Sequence, residues 1–250
     1  MSTSENPSPA GRVDGVLFDI DDTLVDLETA MDKTLRHVSA EHAPGLAEHE
    51  WAEYTRLYSK DPLGHYDRFL SGELSFVEQR LERIQHAQEW VHGTLLDYES
   101  MMAWNKAYER TLPVHFAPFD DVARALDALE DAGIGYGAVS NNVEEYQRIK
   151  LDKAGLRRVE VLVGTDAVGC PKPDPRIFHE GARQLGTAPE RTMYVGDNLV
   201  VDAEGAEAAG LAGVWLKRPE AYGTPGPKDR EYDGVTVGSL DELLPLLGLG

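Results

Sequence analysis

The chain has one cysteine, Cys170, in 250 residues. An internal disulfide and a cysteine-rich metal site are therefore excluded. Positive charge is scarce as well: 24 Lys and Arg against 44 Asp and Glu leave a formal net charge of −20. Nucleic acid binds by releasing counterions to clustered Lys and Arg, so no nucleic acid polymer is expected as a partner. Any phosphate site must be made positive locally, by a metal, a lysine or helix N-termini. No apolar run is long enough to span a bilayer. Residues 1–12 are rich in Ser, Pro and Glu and lack a basic segment followed by an apolar one. They are expected to form a flexible tail, not a secretory signal. Internal repeats are missing. These absences lead to the expectation of a soluble cytoplasmic protein, and the length allows one large α/β domain or a core domain with an insertion.

What is present is organised around Gly15-Val16-Leu17-Phe18-Asp19-Ile20-Asp21-Asp22-Thr23-Leu24. Val16, Leu17 and Phe18 read as a buried strand, because short runs of branched and aromatic residues suit a position covered on both faces. The strand stops at acids, which places them at its carboxyl end, where open α/β sheets bind ligands. Carboxylates this close repel one another unless a cation lies between them. All-oxygen donors suit Mg²⁺, which takes one or two carboxylates and bridges to substrate phosphate. A carboxylate in that setting can act as a nucleophile, and a second one nearby as general acid and base. A turn or a helix N-cap also explains an Asp-rich triplet.

From Leu27 to His115 no strand is evident. Leu27–Ser39, Glu48–Ser59, Ser75–Val91 and Thr94–Thr111 read as helices. In the third, Phe76, Leu81, Ile84 and Ala87 share a side, and Ser75 with Glu78 resembles a capping box. This block carries Trp51, Trp90 and Trp104, expected as core, and several histidines without metal-like spacing, expected at the surface. From Phe116 onward, helices alternate with strands. The strands are Ile134–Val139, Val159–Val163, Thr192–Val195, Ala212–Leu216 and Val235–Val237. The helices are Asp120–Ala132, Val143–Ala154, Asp174–Leu185, Leu199–Ala209 and Leu240–Leu247, and a Pro/Gly loop covers Pro219–Pro227. This rhythm predicts an α/β, Rossmann-like parallel sheet over 13–26 and 116–250, with 27–115 inserted as an all-helical domain.

Three further strand ends carry polar residues. Ser140-Asn141 opens a helix, where a hydroxyl and free N–H groups make a cradle for phosphate oxygens or an ordinary cap. Lys172, in Gly169-Cys170-Pro171-Lys172-Pro173-Asp174-Pro175, is either a solvated loop lysine or a fixed cation that neutralises a transferring phosphoryl group. Asp197 and Asp202, in Gly196-Asp197-Asn198-Leu199-Val200-Val201-Asp202, suit a metal ligand and its support, or a cap and its dipole partner. Each has a bland explanation alone. Together they require three unrelated coincidences in a chain that begins with paired acids.

In order, Asp19-Ile20-Asp21-Asp22-Thr23, Ser140-Asn141, Lys172-Pro173-Asp174-Pro175 and Gly196-Asp197 with Asp202 resemble the four motifs of the haloacid dehalogenase-like hydrolase superfamily. The helical insertion is similar to the cap of its first subfamily. Gly72 to Ser75, with Arg80 and Arg83, resembles the cap of a group containing pyrimidine nucleotidases. The resemblance implies that Asp19 is nucleophile and Mg²⁺ ligand. It makes Asp21 the acid and base, with its backbone carbonyl also on the metal. Ser140 and Asn141 would hold phosphoryl oxygens, and Lys172 would orient Asp19 and screen charge. Asp197 would be the third protein ligand, with Thr23 and Asp202 supporting. The cap is implied to close over the site and choose substrate, with Arg80 and Arg83 as candidate contacts. Asp21 points to a phosphate ester, since family members that cleave carbon–halogen bonds lack an acid there. The expected protein is a Mg²⁺-dependent phosphatase of a small phosphorylated metabolite, a nucleotide or sugar phosphate, working as a monomer or homodimer. A phosphomutase, a 2-haloacid dehalogenase and a non-catalytic binding protein are the alternatives.

Overall fold

The computed structural model describes residues 12–93, 95–218 and 231–249. The expected tail (Arg12 apart) and the Pro219–Pro227 loop lie outside the described residues. The chain divides into two compact units. One takes in the described residues up to Asp26 and from Ala117 onward; the other is Leu27–Phe116.

The first unit is built on six strands: β1 (Gly15–Phe18), β2 (Gly135–Val139), β3 (Val161–Val163), β4 (Thr192–Gly196), β5 (Ala212–Leu216) and β6 (Val235–Val237). All pair in parallel, in the order β3-β2-β1-β4-β5-β6. β1 lies between β2 and β4, with Leu17 level with Gly137 on one side and Tyr194 on the other. β1 and β4 are buried along their whole length. That is why both read as largely apolar runs, as strands covered on both faces do. Connections run one way from β1 through β2 to β3 and the other way from β4 outward. The order therefore reverses between β1 and β4, the point in open sheets where ligands bind.

The helices of this unit are α6 (Val122–Asp131), α7 (Glu144–Lys153), α8 (Thr165–Val168), α9 (Pro175–Leu185), α10 (Gly205–Ala208) and α11 (Leu243–Leu246). α6 buries Val122, Ala125, Leu126 and Leu129, as its 3.6-residue spacing predicts. α9 starts on Pro175, capped by Asp174, whose carboxylate accepts from Arg176 N at 3.0 Å. Its Ile177 and Phe178 pack in a core with Leu17, Val139, Val163 and Tyr194. Leu199–Ala209 departs from the expected α-helix. It forms a π-helical turn over Leu199–Glu204, followed by α10. Asn198 caps the wide turn by accepting from Val201 N at 3.1 Å, and Asp202 points inward from it. The Leu240–Leu247 segment likewise splits into a 3₁₀ turn, Leu240–Glu242, and the one-turn α11.

The second unit holds α1 (Leu27–Val38), α2 (Glu48–Ser59), α3 (His65–Leu70), α4 (Phe76–His92) and α5 (Tyr98–Thr111). The capping box at the start of α4 is formed: Ser75 N donates to Glu78 Oε2 at 2.7 Å and Glu78 N to Ser75 Oγ at 3.2 Å. α5 begins later than predicted, after Asp97 caps Ser100 N at 2.8 Å. The six-residue α3 has no apolar period long enough to detect and was not anticipated. Tyr54, Tyr58, Trp104 and Tyr108 form the aromatic interior. Trp90 does not follow that expectation and is 46% exposed. His65 departs the other way: it is buried, with Nδ1 3.4 Å from Arg68 Nη1.

Leu17 has no solvent exposure, at the centre of the sheet. Leu17→Ala should therefore lower the unfolding free energy by about 2–5 kcal/mol, the range for a large-to-small change in a packed core. The check is a lower urea midpoint with an unchanged m-value; an unchanged midpoint would contradict this packing.

Candidate active site

β1 delivers Asp19 to the carboxyl rim of the sheet. Its backbone continues the ladder, with Asp19 N donating to Val195 O at 2.9 Å, so the side chain is fixed by the strand pairing. Lys172 reaches the same point from the loop before α9 and is 4% exposed. Its ammonium donates to Asp19 Oδ1 at 2.5 Å, Asp202 Oδ1 at 2.7 Å and the Tyr194 hydroxyl at 2.7 Å. All three protons of the ammonium are thus placed. The Tyr194 hydroxyl in turn donates to Val139 O at 2.9 Å. Asp202 Oδ2 accepts from Asn198 N at 3.0 Å. Gly196 is required beside this carboxyl, because a Cβ there would lie 2.4 Å from Asp202 Cγ.

The electrostatics follow from this crowding. Burial pushes the Asp19 carboxyl above the usual carboxylate range; Lys172 opposes the shift, and the charges of Asp202 and Asp21 add to it. Burial also drives Asp197 well up, reinforced by Asp202, Asp22 and Asp19. For Lys172, burial disfavours the charge, but Asp19 and Asp202 outweigh it and hold the ammonium protonated. Carboxyl oxygens of Asp19, Asp197 and Asp202 lie within 4.8 Å of one another. This donor set fits a hard divalent cation: it is all oxygen and short of positive charge. Asp202 is occupied by Lys172 and Asn198 N, which leaves Asp19 and Asp197 as the carboxylates best placed to touch an ion. The backbone at Asp197 is held by Trp215, whose indole N–H donates to Asp197 O at 2.9 Å.

Ser140 and Asn141 follow β2. Ser140 is buried, and its N–H donates to Val163 O at 3.0 Å. Its hydroxyl oxygen accepts from Gln147 Nε2 at 2.7 Å, which leaves the hydroxyl proton to be offered elsewhere. Asn141 ties this loop to the lysine loop: its Oδ1 accepts from Lys172 N at 2.6 Å and its Nδ2 donates to Lys172 O at 3.0 Å. Asp21 stands just past Asp19, with its side chain about 30% exposed. Its Oδ1 is ion-paired to Lys150, and its Oδ2 accepts from Gln147 Nε2 at 3.0 Å. Thr23 is fully buried; its backbone carbonyl accepts from Arg218 Nη2 at 2.9 Å, while its Oγ1 has no hydrogen-bond partner among the described residues.

The structure thus gathers Asp19, Lys172, Asp197 and Asp202 into one cluster, and links Asp21 to Ser140 through Gln147. Arg80 and Arg83 belong to neither group. Both are buried in the helical unit. Arg80 donates to Asn105 at 2.8 Å and Glu109 at 2.9 Å, and Arg83 to Tyr58 O at 2.6 Å and Gln79 at 3.1 Å. Their guanidinium groups brace helices within that unit. Three residues of the rim were not anticipated: Tyr194, Gln147 and Lys150. The last two carry a legible signal, since 147, 150, 151 and 154 fall on one helical stripe and all four are buried.

A parallel sheet with acids and a buried lysine gathered at its switch point defines an α/β protein whose candidate active site lies at the carboxyl rim of the sheet. A family model described as haloacid dehalogenase-like hydrolase matches residues 13–210, and the chain belongs to that family. It is 30% identical to a glyceraldehyde 3-phosphate phosphatase of Methanopyrus kandleri over 246 residues, 94% of this chain and 97% of the relative. Its fold is shared with the magnesium-bound HAD-hydrolase YfnB of Bacillus subtilis at a TM-score of 0.73 and 22% identity, covering 96% of this chain and 100% of the other. It is also shared with an L-2-haloacid dehalogenase of Xanthobacter autotrophicus at a TM-score of 0.69 and 22% identity, covering 94% and 98%. Among the described residues, no helix is long and apolar enough to cross a membrane.

Removing one member of a buried ion pair leaves the others uncompensated. Lys172→Met should lower the unfolding free energy by about 3–5 kcal/mol when measured with a chelator present. Denaturant titration of the variant against wild type checks it; equal stability would mean that Asp19 and Asp202 do not depend on the ammonium.

Proposed function

We propose that the protein is a Mg²⁺-dependent phosphatase that hydrolyses a small phosphorylated metabolite through a phosphoryl group carried on Asp19. The observation that carries this reading is the pairing of two differently held acids: Asp19, buried against Lys172, and Asp21, partly exposed two residues later. The near full-length similarity to a protein named as a phosphatase supports it.

In this reading Asp19 and Asp197 hold the metal with the backbone carbonyl of Asp21, while Thr23 and Asp202 support the loop and the lysine. Bound there, Mg²⁺ supplies the positive charge that keeps the crowded carboxylates ionised and neutralises phosphoryl oxygens. Ser140, with the Asn141 backbone, receives a phosphoryl oxygen, using the hydroxyl proton that Gln147 leaves free. Lys172 holds Asp19 at Oδ1 and adds its charge to the transition state. A carboxylate oxygen of Asp19 attacks phosphorus as the bond to the leaving oxygen breaks, and Asp21, which enters this step as the neutral acid, gives that oxygen its proton. Asp21, now a carboxylate, then takes a proton from water as the water attacks the aspartyl-phosphate. Inorganic phosphate leaves and both acids return to their starting states.

Asp21 also weighs against halide chemistry. A halide needs no proton on departure, whereas an alkoxide does, and the dehalogenase similarity at 22% identity carries the fold alone. Glyceraldehyde 3-phosphate, the substrate in the name of the Methanopyrus kandleri relative, is the first ester to test.

Asp19→Asn should abolish release of p-nitrophenol from p-nitrophenyl phosphate while the circular dichroism spectrum stays unchanged. Chelation should abolish wild-type turnover, with added Mg²⁺ restoring it. Retained turnover in the variant would remove Asp19 as nucleophile, and turnover unaffected by chelation would remove the metal.

A further inference from the structure

We propose that Lys150 and Gln147 of α7 are positioning residues that hold the Asp21 carboxyl in place for proton transfer and set it against Ser140. The proposal rests on the phosphatase reading, in which Asp21 is the proton donor.

Both side chains grip the same carboxyl group. Lys150 pairs with Asp21 Oδ1 and Gln147 Nε2 donates to Oδ2 at 3.0 Å, so neither oxygen is left to rotate. The same Gln147 amide nitrogen donates to Ser140 Oγ at 2.7 Å. One amide group therefore fixes the separation between the proposed proton donor and the proposed phosphate-binding hydroxyl. Positions three apart on a helix share a face, which is how α7 presents both to the rim.

The helix that carries them is anchored independently. Glu144 N at its start donates to Asp166 Oδ1 at 2.9 Å. Arg148 reaches away from the rim to Val159 O at 2.8 Å and Glu160 O at 3.0 Å. The clamp is therefore mounted on a regular element tied at its side, which holds a site more accurately than a loop does.

A stability role alone accounts poorly for this arrangement. The Lys150 side chain is 2% exposed, while that of its partner Asp21 is 30% exposed. Burying an ammonium is costly, and an apolar residue of similar volume usually serves stability as well or better. Here the buried cation faces an acid at the rim that remains open to solvent, so its effect falls on the orientation of that acid. Gln147, with no exposure, sits between two groups of the proposed chemistry instead of facing the apolar core.

The test uses the dependence on leaving group. p-Nitrophenolate is a weak base and departs with little help from an acid, whereas the alkoxide of glycerol phosphate must be protonated as it leaves. The quantity to compare is kcat/KM, which ends at the first irreversible step and so reports leaving-group departure. A well-placed general acid contributes about 10²–10⁴-fold. Lys150→Met should lower kcat/KM for glycerol phosphate about tenfold or more beyond its effect on p-nitrophenyl phosphate, a part of that full contribution. Lys150→Arg should recover most of the difference. In an Asp21→Asn background, Lys150→Met should cost nothing further, because the acid it positions is gone. If Lys150→Met does not fold, Lys150→Gln provides the same ratio. An equal loss on both esters, or a loss that adds to that of Asp21→Asn, would overturn the clamp and leave the phosphatase reading standing. A wild-type protein inactive on every phosphate ester would remove the phosphatase reading, and the clamp with it.

Discussion

One buried ammonium holds the rim of this sheet together. Lys172 meets the end of β1 at Asp19, the side chain of Tyr194 on β4, and the π-helical turn at Asp202. Through the Tyr194 hydroxyl the contact extends to Val139 O on β2. Without that charge, Asp19 and Asp202 would be two buried carboxylates with burial and mutual repulsion both against ionisation. With it, attraction in a poorly solvated pocket offsets the loss of hydration, because each proton of the ammonium has a directed hydrogen bond. The net gain in stability from such a cluster is small, and its consequence is geometric: four segments distant in the chain meet in one register.

The topology makes this possible. Central strands of a parallel sheet are covered on both faces and have room only for apolar side chains, so chemistry is displaced to their ends. β1 and β4 are neighbours although a helical unit and several crossovers separate them in sequence. Each ends in an acid, Asp19 or Asp197, and the reversal of strand order between them leaves that edge clear of a crossing connection. The lysine and the serine come from loops that follow β3 and β2, and Asn141 stitches those loops together through the Lys172 backbone. The rim is thus a product of strand order more than of any one loop.

How much of this could be read beforehand varied with the kind of contact. The strands were legible because a fully buried strand shows itself as an apolar run, and polar residues just past such a run stand out. Asp19, Ser140, Lys172 and Asp197 stand out in that way. Tyr194 was hidden because its ring belongs to the core while only its hydroxyl reaches the lysine, and a sequence does not separate the two ends of one side chain. Lys150 and Gln147 were hidden for a related reason: polar residues on a short helix read as its solvated face unless their stripe is followed to Leu151 and Ala154. Arg80 and Arg83 were expected as cap contacts from the resemblance of the helical insertion. Both guanidinium groups rest on aromatic rings and bind neighbouring helices, contacts that no apolar period in the sequence displays. The π turn was illegible, since Leu199–Glu204 has the composition of an α-helix and departs from it where Asp202 turns inward.

The similarity to both a phosphatase and a dehalogenase means that the fold leaves the reaction open. The choice lies in what surrounds position 21. Displacing a halide calls for a nucleophile and a place for the halide, and an acid two residues on would add only unfavourable charge near Asp19. Displacing an alkoxide calls for a proton delivered along the breaking bond, from a group whose direction is constrained. Here the group two residues after Asp19 is an acid, and a buried lysine and a buried glutamine restrict both of its oxygens. A phosphate ester gives each of these groups a task, whereas a carbon–halogen bond leaves Asp21 and the two residues that hold it without one.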